Sequence, residues 1–302
     1  MSQPQAASAL LFLTTETPLH AGAGQSVAGI DLPIQREVHS DWPCVYGSAV
    51  KGALRAHAFH KGLPGQDAID LFGPDHGAAA GERDSSHAGA LLVGDATLLA
   101  LPVRSLQSHF KWVTCPAALT RLQCTSERLG LGLDLALVQG LAPTEQLQAL
   151  GQGDSALFLE EFRLTQTATP AVAELAGQLA SLSGGALQAG TVAERLVVVH
   201  DDIFTFLVRN ATAVNAHIAI NAQTKTVKQG QLWYEESLPP ETLLYVPLMA
   251  TASRRKDSTL GSAQVLDMFE GLLGAGRNWL QLGGNETTGM GWCRVGINKA
   301  QA

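Results

Sequence analysis

The sequence predicts an α+β fold with long insertions. Short apolar runs typical of buried strands alternate along the chain with longer segments typical of helices. Two strand-like runs, residues 213–221 and 231–236, are joined by residues 222–230, which indicates a β-hairpin. Strands that alternate with helices in one part of a chain and with other strands elsewhere are typical of an α+β core.

Each predicted element has a local signal. Apolar or β-branched runs predict strands at residues 9–15, 90–104, 157–164, 196–200, 243–250, 279–282 and 292–297. Helices are predicted at residues 49–60, 116–128, 171–182 and 263–273. Gly62 and Pro64 end the first helix, and Pro116 suits the first turn of the second because an N–H at that position would have no helical partner.

Two stretches predict flexible insertions, at approximately residues 62–90 and 129–156. The middle of the first contains glycine, alanine, serine and charged residues with no apolar period, so a mobile surface loop is expected at 73–89. Glycine and glutamine are frequent in the second. No internal repeat is visible, and we predict a single domain over residues 1–302 with these insertions.

Composition and charge exclude several protein classes. A chain of 302 residues with 46% hydrophobic residues can bury a substantial core. It has no apolar run of membrane-spanning length and no basic segment before an apolar one near its start, so we expect a cytoplasmic protein without membrane contact. The four cysteines lack Cys-x-x-Cys spacing, which argues against a zinc site or a disulfide framework. With a net charge of −7, any nucleic-acid binding must come from a local groove of Lys and Arg.

One glycine-rich loop and the helix after it carry the strongest pattern. Gly22 and Gly24 allow the loop backbone to approach a ligand closely. Ser48 is a candidate N-cap of the helix, and Lys51 and Arg55 follow one turn apart on one face. Amides at a helix start together with two cations suit a chain of phosphates, whereas the alternative is a surface loop before an ordinary amphipathic helix. The glycine spacing matches neither a P-loop nor a dinucleotide-binding loop, and no common hydrolase motif is present.

These residues resemble the RAMP superfamily of CRISPR proteins, most closely the backbone subunits of type III-B Cmr effector complexes. The first matching motif combines the glycine loop with Ile-Asp-Leu-Pro-Ile-Gln-Arg-Glu at residues 30–37, followed by Gly-Ser-Ala-Val-Lys-Gly-Ala-Leu-Arg at 47–55. The last is Leu-Gln-Leu-Gly-Gly-Asn-Glu-Thr-Thr-Gly-Met-Gly-Trp at 280–292, and weaker matches lie at 112–116 and 224–239.

The resemblance implies a fold, an activity and partners. The fold is a ferredoxin-like (RRM-like) palm with a protruding thumb hairpin at approximately residues 213–236. The activity is cleavage of target RNA paired with a guide RNA, at regular intervals, by attack of a 2′-hydroxyl that leaves a cyclic phosphate. The partners are guide RNA, target RNA, other Cmr subunits and copies of the chain in a helical filament. Two alternatives are a non-catalytic subunit that binds guide RNA and an endonuclease that processes guide precursors.

Asp31 is the candidate catalytic residue, because the resemblance implies that the equivalent acid is required for target cleavage. A carboxylate near the attacking hydroxyl can act as a base or hold a metal ion. We therefore expect a divalent cation, Mg²⁺ or Mn²⁺, with no ligand identified beyond Asp31. The alternative is a turn residue whose side chain bonds nearby backbone amides.

The other expected site residues bind RNA. They are His20, Gly22, Gly24, Arg36, Ser48, Lys51, Arg55, Lys225, Lys228, Gly283, Gly284, Thr287, Gly289 and Gly291. The helix cations would hold the guide backbone, the last glycine loop would present amides to a phosphate, and the lysine-tipped hairpin would wedge into the guide–target duplex. The alternatives are a solvated helix face, a tight turn between strands and a solvated hairpin tip. His20 suits a cap of its own loop equally well, and Arg36 suits an ion pair with an acid.

Two further groups leave alternatives open. His200, Asp201 and Asp202 follow an apolar strand and suit either the start of a metal site or the cap of a helix. The basic run at residues 254–256 suits contact with RNA or a neighbouring subunit, or a solvated loop.

Overall fold

The computed structural model describes residues 6–26, 29–74, 87–133, 136–274 and 278–300. The strands are β1 (Ala7–Thr15), β2 (Cys44–Val45), β3 (Leu91–Val93), β4 (Ala96–Val103), β5 (Lys111–Thr114), β6 (Gln148–Gly151), β7 (Ala156–Leu159), β8 (Phe162–Ala168), β9 (Leu196–Val199), β10 (Ala213–Ile220), β11 (Val227–Ser237), β12 (Leu243–Ala250), β13 (Asn278–Gln281) and β14 (Trp292–Lys299). The helices are α1 (Gly47–His60), α2 (Gly65–Phe72), α3 (Pro116–Leu129), α4 (Pro170–Leu182), α5 (Ala189–Arg195), α6 (Asp201–Asn210) and α7 (Ser262–Leu273). Within the described ranges, no helix has the length and apolarity that a membrane span needs.

Twelve of the described strands form one sheet with the main order β13–β14–β1–β12–β4–β5–β9–β6–β8–β7. In its centre, β1 lies between β14 and β12 and is antiparallel to both, and β12 is also antiparallel to β4. Leu11 of β1 is opposite Val246 on one side and Ile297 on the other. Because every residue of β1 after Ala7 is buried and residues 9–13 are all apolar, this strand can lie only in the middle of a sheet that is covered on both faces.

Helices cover both faces of the sheet. The alternation of side chains along β1 sends Leu11 and Leu13 to one face and Leu10 and Phe12 to the other. Apolar residues of α1, α2, α6 and α7 pack with the first pair. Those of α4 and α5, together with most of α3, pack with the second pair. The core therefore consists of two apolar layers separated by the sheet.

The predicted α+β class is confirmed, as are the four predicted helices, each within two residues at its start. Pro116 lies in the first turn of α3, as expected. Two predicted strands are each divided in two. Residues 90–104 form β3 and β4, which both pair with β12 but in registers that differ by one residue. Residues 157–164 belong to the hairpin β7–β8, which reverses at Glu160 with a φ of 47°.

The prediction of flexible insertions is wrong for part of each stretch. Residues 65–72 form α2, which is held to the core because Leu71 and Phe72 are buried. Residues 148–151 form β6, which is paired with both β9 and β8 inside the sheet. The centre of the predicted mobile loop, residues 75–86, lies outside the described residues. Local composition does not reveal burial that is provided by distant elements, and β5 and α5 were missed for the same reason.

The predicted hairpin is confirmed as β10–β11, a separate two-stranded ribbon that we call the hairpin. His217 lies opposite Trp233, and the register shifts between Ile218 and Ile220. At the tip, the Asn221 carboxamide oxygen accepts hydrogen bonds from two following amides, which closes the turn. Most of the ribbon is exposed, and it becomes buried only at its base.

Candidate RNA-binding and cleavage site

Asp31 lies exposed at the base of the hairpin. Its Oδ2 accepts a hydrogen bond of 2.8 Å from the backbone N–H of Tyr234 in β11. The next residue continues the pairing, because the Leu32 N–H donates to the Tyr234 carbonyl at 3.0 Å and the Leu32 carbonyl accepts from the Glu236 N–H at 3.0 Å. The bonded amide is 203 positions away in the sequence, so the side chain does not close a local turn. Tertiary structure therefore positions this carboxylate against the hairpin.

Asp31 lines a cavity of about 420 Å³ along the edge of β11 that is not paired with β10. The lining residues are Gln25, Ser26, Asp31, Leu32, Gly230, Gln231, Leu232 and Trp233. Among these described lining residues, Asp31 is the only acidic one. The cavity is thus lined by the Asp31 carboxylate, by residues of the first loop and of β11, and by the indole ring of Trp233.

His20 is buried between the two glycine-rich loops. Its Nδ1 donates to the Glu236 carbonyl at 2.7 Å, which requires the proton on Nδ1. Its Nε2 faces Gly22, where an added Cβ would lie 2.9 Å away. The Gly284 N–H donates to the His20 carbonyl at 2.9 Å. The ring is therefore held by a main-chain carbonyl of β11, and it joins the first glycine-rich loop to the base of the hairpin instead of capping its own loop.

The last glycine-rich loop needs glycine where it approaches other main chain. Gly283 has a φ of 77°, and a Cβ there would overlap the His20 carbonyl. Gly291 has a φ of 82°, and a Cβ there would overlap the Leu282 carbonyl. Thr287 is exposed on the single turn of 3₁₀ helix between them. The turn between two strands is therefore packed directly on the first loop.

A buried pair of glutamates, which no sequence pattern predicted, connects these segments. Glu236 is 3% exposed, and its Oε1 accepts from Arg36 Nη2 at 2.5 Å and from Thr212 Oγ1 at 2.7 Å. Its Oε2 accepts from the Ile34 N–H at 3.1 Å. Glu235 is 6% exposed and accepts from the Asn285 side chain in the last loop. Two adjacent acids at a strand end have the sequence pattern of a solvated surface, so nothing local indicates their burial.

Arg36 was expected either to contact a phosphate or to pair with an acid, and in the structure it pairs with Glu236. Its Nη1 also donates to the carbonyls of Asp41 and Val208, at 2.8 and 3.1 Å. The guanidinium is occupied on several sides and mostly buried, which favours the ion pair over a phosphate contact.

The expected N-cap role of Ser48 is wrong. α1 begins at Gly47 after an extended Tyr46, and no side chain of the residue before the helix caps it. Ser48 already lies inside the first turn, and the Gly47 N–H instead donates to Asp95 Oδ1 at 2.6 Å. A carboxylate from the β3–β4 connection therefore meets the positive end of the helix.

The two cations of α1 face away from the first glycine-rich loop. Lys51 Nζ donates to the Leu91 carbonyl of β3 at 3.3 Å. Burial, together with the positive charges of Arg55 and Arg254, lowers the pKa of Lys51. The structure therefore gathers cations from α1 and from the segment after β12 on one side of the helix. The neighbouring Arg255 is held apart from them by an ion pair of 2.9 Å with the buried Asp70.

The opposite side of α1 borders a second cavity of about 420 Å³. Small side chains of α1 meet both glycine-rich loops there, and the lining residues are Ala21, Gly22, Gln35, Ala49, Gly52, Ala53, Ala56, Gln281, Gly283 and Gly284.

The side chains of His200 and Asp201 cap helices, in agreement with one of the two interpretations of this group, and Asp202 lies in the first turn of α6. The His200 Nδ1 accepts from the Asp202 N–H at 3.2 Å at the start of α6. Asp201 Oδ1 accepts from the Ala117 N–H at 3.0 Å in the first turn of α3. In the part of the chain that the structure describes, no group of three or more His, Cys, Asp or Glu side chains is arranged to hold a metal ion.

The sequence matches the model of the RAMP superfamily over residues 12–294. The chain belongs to the RAMP superfamily. This RAMP protein is 33% identical to the CRISPR system Cmr endoribonuclease Cmr4 of Pyrococcus furiosus, over 96% of this chain and 95% of that one. The predicted resemblance is thereby confirmed.

Comparison with solved structures agrees with the assignment of the chain to this superfamily. The crystal structure of oligomeric Cmr4 from Pyrococcus furiosus superimposes with a TM-score of 0.72 and 26% identity, over 99% of this chain and 100% of that one. A chain of the type III-B Cmr-beta complex bound to cognate target RNA superimposes with a TM-score of 0.74, over 96% of both chains. At 22% identity, that second likeness shows the fold alone.

Besides Arg36 and Ser48, the fold of this RAMP protein places its predicted site residues in five groups. One group surrounds the second cavity or packs beside it: His20, Gly22, Gly283, Gly284 and Gly291. Asp31 lies at the hairpin base. Lys51 and Arg55 lie on the other side of α1, and Lys225 and Lys228 are exposed near the hairpin tip. Exposed Gly24, Thr287 and Gly289 lie on the outer parts of their loops.

Proposed function

We propose that this chain is a guide-RNA-binding backbone subunit of a type III-B CRISPR effector complex and that it cleaves target RNA paired with the guide. A relative 33% identical over nearly the whole chain is a Cmr endoribonuclease, which supports both parts of the proposal. The oligomeric state of the Pyrococcus furiosus structure supports assembly of several copies. The partners are guide RNA, target RNA, other Cmr subunits and copies of the chain in a helical filament.

The palm of this subunit is the four-stranded centre of the sheet. The order β14–β1–β12–β4, with every neighbouring pair antiparallel, supports a ferredoxin-like, RRM-like arrangement. α1 lies between β1 and β4 in the chain, and α7 lies between β12 and β14, as that arrangement requires. The hairpin is the thumb, and each copy in a filament carries one thumb and one Asp31. The geometry of the filament therefore spaces the cuts regularly.

The observation that carries the proposal is the exposed Asp31 carboxylate, held by a main-chain amide at the thumb base. Cleavage requires the 2′-hydroxyl, the phosphorus and the leaving 5′-oxygen to lie in line, and positioning of this kind accounts for several kcal/mol of a barrier. The carboxylate accepts the hydroxyl proton as the oxygen attacks phosphorus. The P–O5′ bond breaks, the 5′-oxygen takes a proton from water and leaves as the 5′-hydroxyl of the downstream product, and a 2′,3′-cyclic phosphate remains on the upstream product.

A divalent cation, Mg²⁺ or Mn²⁺, is part of the proposal. The cavity lining includes one carboxylate, so its described residues fit an ion that keeps most of its waters and shares phosphate oxygens. They do not fit a cage built from protein ligands. Asp31 would hold this ion, which when bound would neutralise charge on the reacting phosphate.

The test uses the assembled complex, labelled complementary RNA, and Mg²⁺ or Mn²⁺. Asp31→Asn keeps an oxygen for the Tyr234 amide but removes the negative charge, so we expect target binding without cleavage. Glu174→Gln, an exposed residue of α4, removes one charge elsewhere and should cut normally. Cleavage by the Asp31→Asn complex at the same sites would show that the catalytic assignment is wrong.

A scaffold without nuclease activity is the second candidate, favoured by one observation. The bond from Asp31 to the Tyr234 amide would by itself attach the loop to the thumb. Absence of cutting by the wild-type complex with either cation would support this scaffold. Cleavage of repeat RNA by the purified chain alone would instead support the processing endonuclease.

A further inference from the structure

We propose that Trp233 and His217 form a stacking platform that binds one unpaired nucleobase of the RNA beside Asp31. The inference rests on the proposed function for its ligand, because it takes RNA as the molecule that enters the cavity. It assigns a base-binding subsite to two aromatic residues for which the sequence motifs imply no role.

The hairpin register holds the two rings together. His217 in β10 and Trp233 in β11 are direct cross-strand partners, so both side chains project from the same face of the ribbon. Their ring centroids are 5.6 Å apart and their planes differ by 16°, which is a stacked arrangement. A cross-strand aromatic pair of this kind presents a preformed ring and loses little conformational freedom when a third ring is added.

The free side of the stack faces the cavity of Asp31. β11 has β10 along one edge, and His217 therefore covers the indole from that side. Along the other edge, the main chain of Tyr234 bonds to Asp31 and Leu32. Trp233 and Asp31 line the same cavity on this side of β11. The indole face opposite His217 is thus directed toward the side on which the carboxylate lies.

The platform can bind any of the four nucleobases. Every base has a π-face, so stacking on an indole tolerates all four bases. A protein that acts on targets chosen by a guide needs this tolerance at the reacting nucleotide. A base held against Trp233 would also fix its sugar and phosphate next to Asp31, and Trp233 would act as a substrate-positioning residue.

The experiment combines variants of the assembled complex with RNA that lacks one base. Abasic nucleotides are placed in turn at the positions that flank the cleaved bond. In the wild-type complex, one position should lower kcat/KM by about 10- to 100-fold, the range that corresponds to one base–aromatic stack. Trp233→Leu should cause a similar loss on intact RNA, and the abasic nucleotide should then cause no further loss.

Two variants keep this test specific. Trp233→Phe retains an aromatic face and should recover part of the activity of the leucine variant. Trp279→Leu removes another partly exposed indole, in β13, and should leave both kcat/KM and the abasic effect unchanged. If the abasic nucleotide lowered kcat/KM by the same factor in the wild-type and Trp233→Leu complexes, the base would not stack on Trp233 and the proposal would be wrong.

A binding readout separates this proposal from the proposed function. 2-Aminopurine at the same position should be quenched by stacking in the Asp31→Asn complex and should regain fluorescence when Trp233→Leu is added. Quenching that depends on Trp233 in a wild-type complex that does not cut would reject the nuclease and retain the platform. Cleavage that depends on Asp31 but not on Trp233 would reject the platform alone.

Discussion

Replacement of Glu236 by glutamine should separate the thumb base from the loop that carries Asp31. The change keeps the size of the side chain but removes its charge. One oxygen now bonds to Arg36 and Thr212, and the other accepts from the Ile34 amide. A glutamine has only one oxygen, so in either orientation its NH₂ group meets a buried donor.

The magnitude follows from burial. The Arg36 and Glu236 side chains are 16% and 4% exposed, and their nitrogen and oxygen are 2.5 Å apart. Removal of one partner of a buried pair leaves an uncompensated charge and costs about 3–5 kcal/mol of unfolding free energy. At about 2 °C per kcal/mol for a large domain, the melting temperature should fall by roughly 6–10 °C.

The assay is urea and thermal unfolding of the purified chain, with a surface pair as the control. Arg104 and Glu160 are joined at 2.7 Å, but their side chains are 78% and 24% exposed. Glu160→Gln should therefore cost less than about 1 kcal/mol. Glu236 is buried and accepts from three donors, whereas Glu160 is partly exposed and accepts from Arg104, so the difference between the two variants measures the effect of burying a fully hydrogen-bonded carboxylate.

A double-mutant cycle with Arg36→Met gives the result that would refute this reasoning. Once the guanidinium is absent, Glu236→Gln should cost at least about 1 kcal/mol less than it does in the wild-type chain. Additive effects, or a loss below about 1 kcal/mol for Glu236→Gln alone, would show that the buried pair does not hold the thumb base.

Three further predictions concern glycine packing, acid stability and RNA binding. Gly283→Ala should lower the melting temperature more than Gly289→Ala, because both positions have positive φ but only at Gly283 would the Cβ overlap a main-chain carbonyl. Burial alone would raise the pKa of Asp70, but hydrogen bonds from Arg255 and Ser253 and the Arg255 charge lower it below its usual 3.8. Stability from this carboxylate is therefore complete above that value and lost as the pH falls through the lower folded-state pKa, so in urea unfolding the wild-type advantage over Asp70→Asn should shrink in acid. Lys51→Ala should weaken guide-RNA binding and reduce the slope of log K against log salt concentration by about 1, because one fewer phosphate is neutralised.

Each of these three predictions would be contradicted by a specific result. Equal melting temperatures for the two glycine variants would mean that the last loop can move away from the first. A wild-type advantage over Asp70→Asn that stays constant between neutral and acidic pH would mean that Arg255 does not stabilise the carboxylate. An unchanged salt slope after Lys51→Ala would place the guide backbone elsewhere on the palm.

Several elements of the fold could be predicted from the sequence because their signals are local. β1 is a nearly continuous apolar run, and a strand of this type is stable only when it is buried on both faces. α3 begins at Pro116 and ends before Gly130, which has a left-handed conformation, so both ends are marked by residue type. α6 was missed although Ile203, Phe204 and Leu207 have helical spacing, because its β-branched and aromatic residues do not favour a helix locally.

The candidate site could be predicted only in part. Motif order identified the family, and it predicted Asp31 and the two glycine-rich loops as parts of the site. The N-cap role of Ser48 was wrong, because the carboxylate that caps α1 belongs to Asp95 on another element. The burial of Glu236 left no sign in the residues around it.

By itself, the sequence determined the α+β class, most strands and helices, the hairpin and the superfamily, because apolar patterning and turn residues act over a few positions. Only the tertiary structure decided that the Asp31 carboxylate bonds to the Tyr234 amide and that Arg36 pairs with Glu236. The partners in each of these contacts are about 200 positions apart along the chain. Hydrogen bonds and ion pairs depend on distances of a few ångströms, and folding alone brings such distant groups that close.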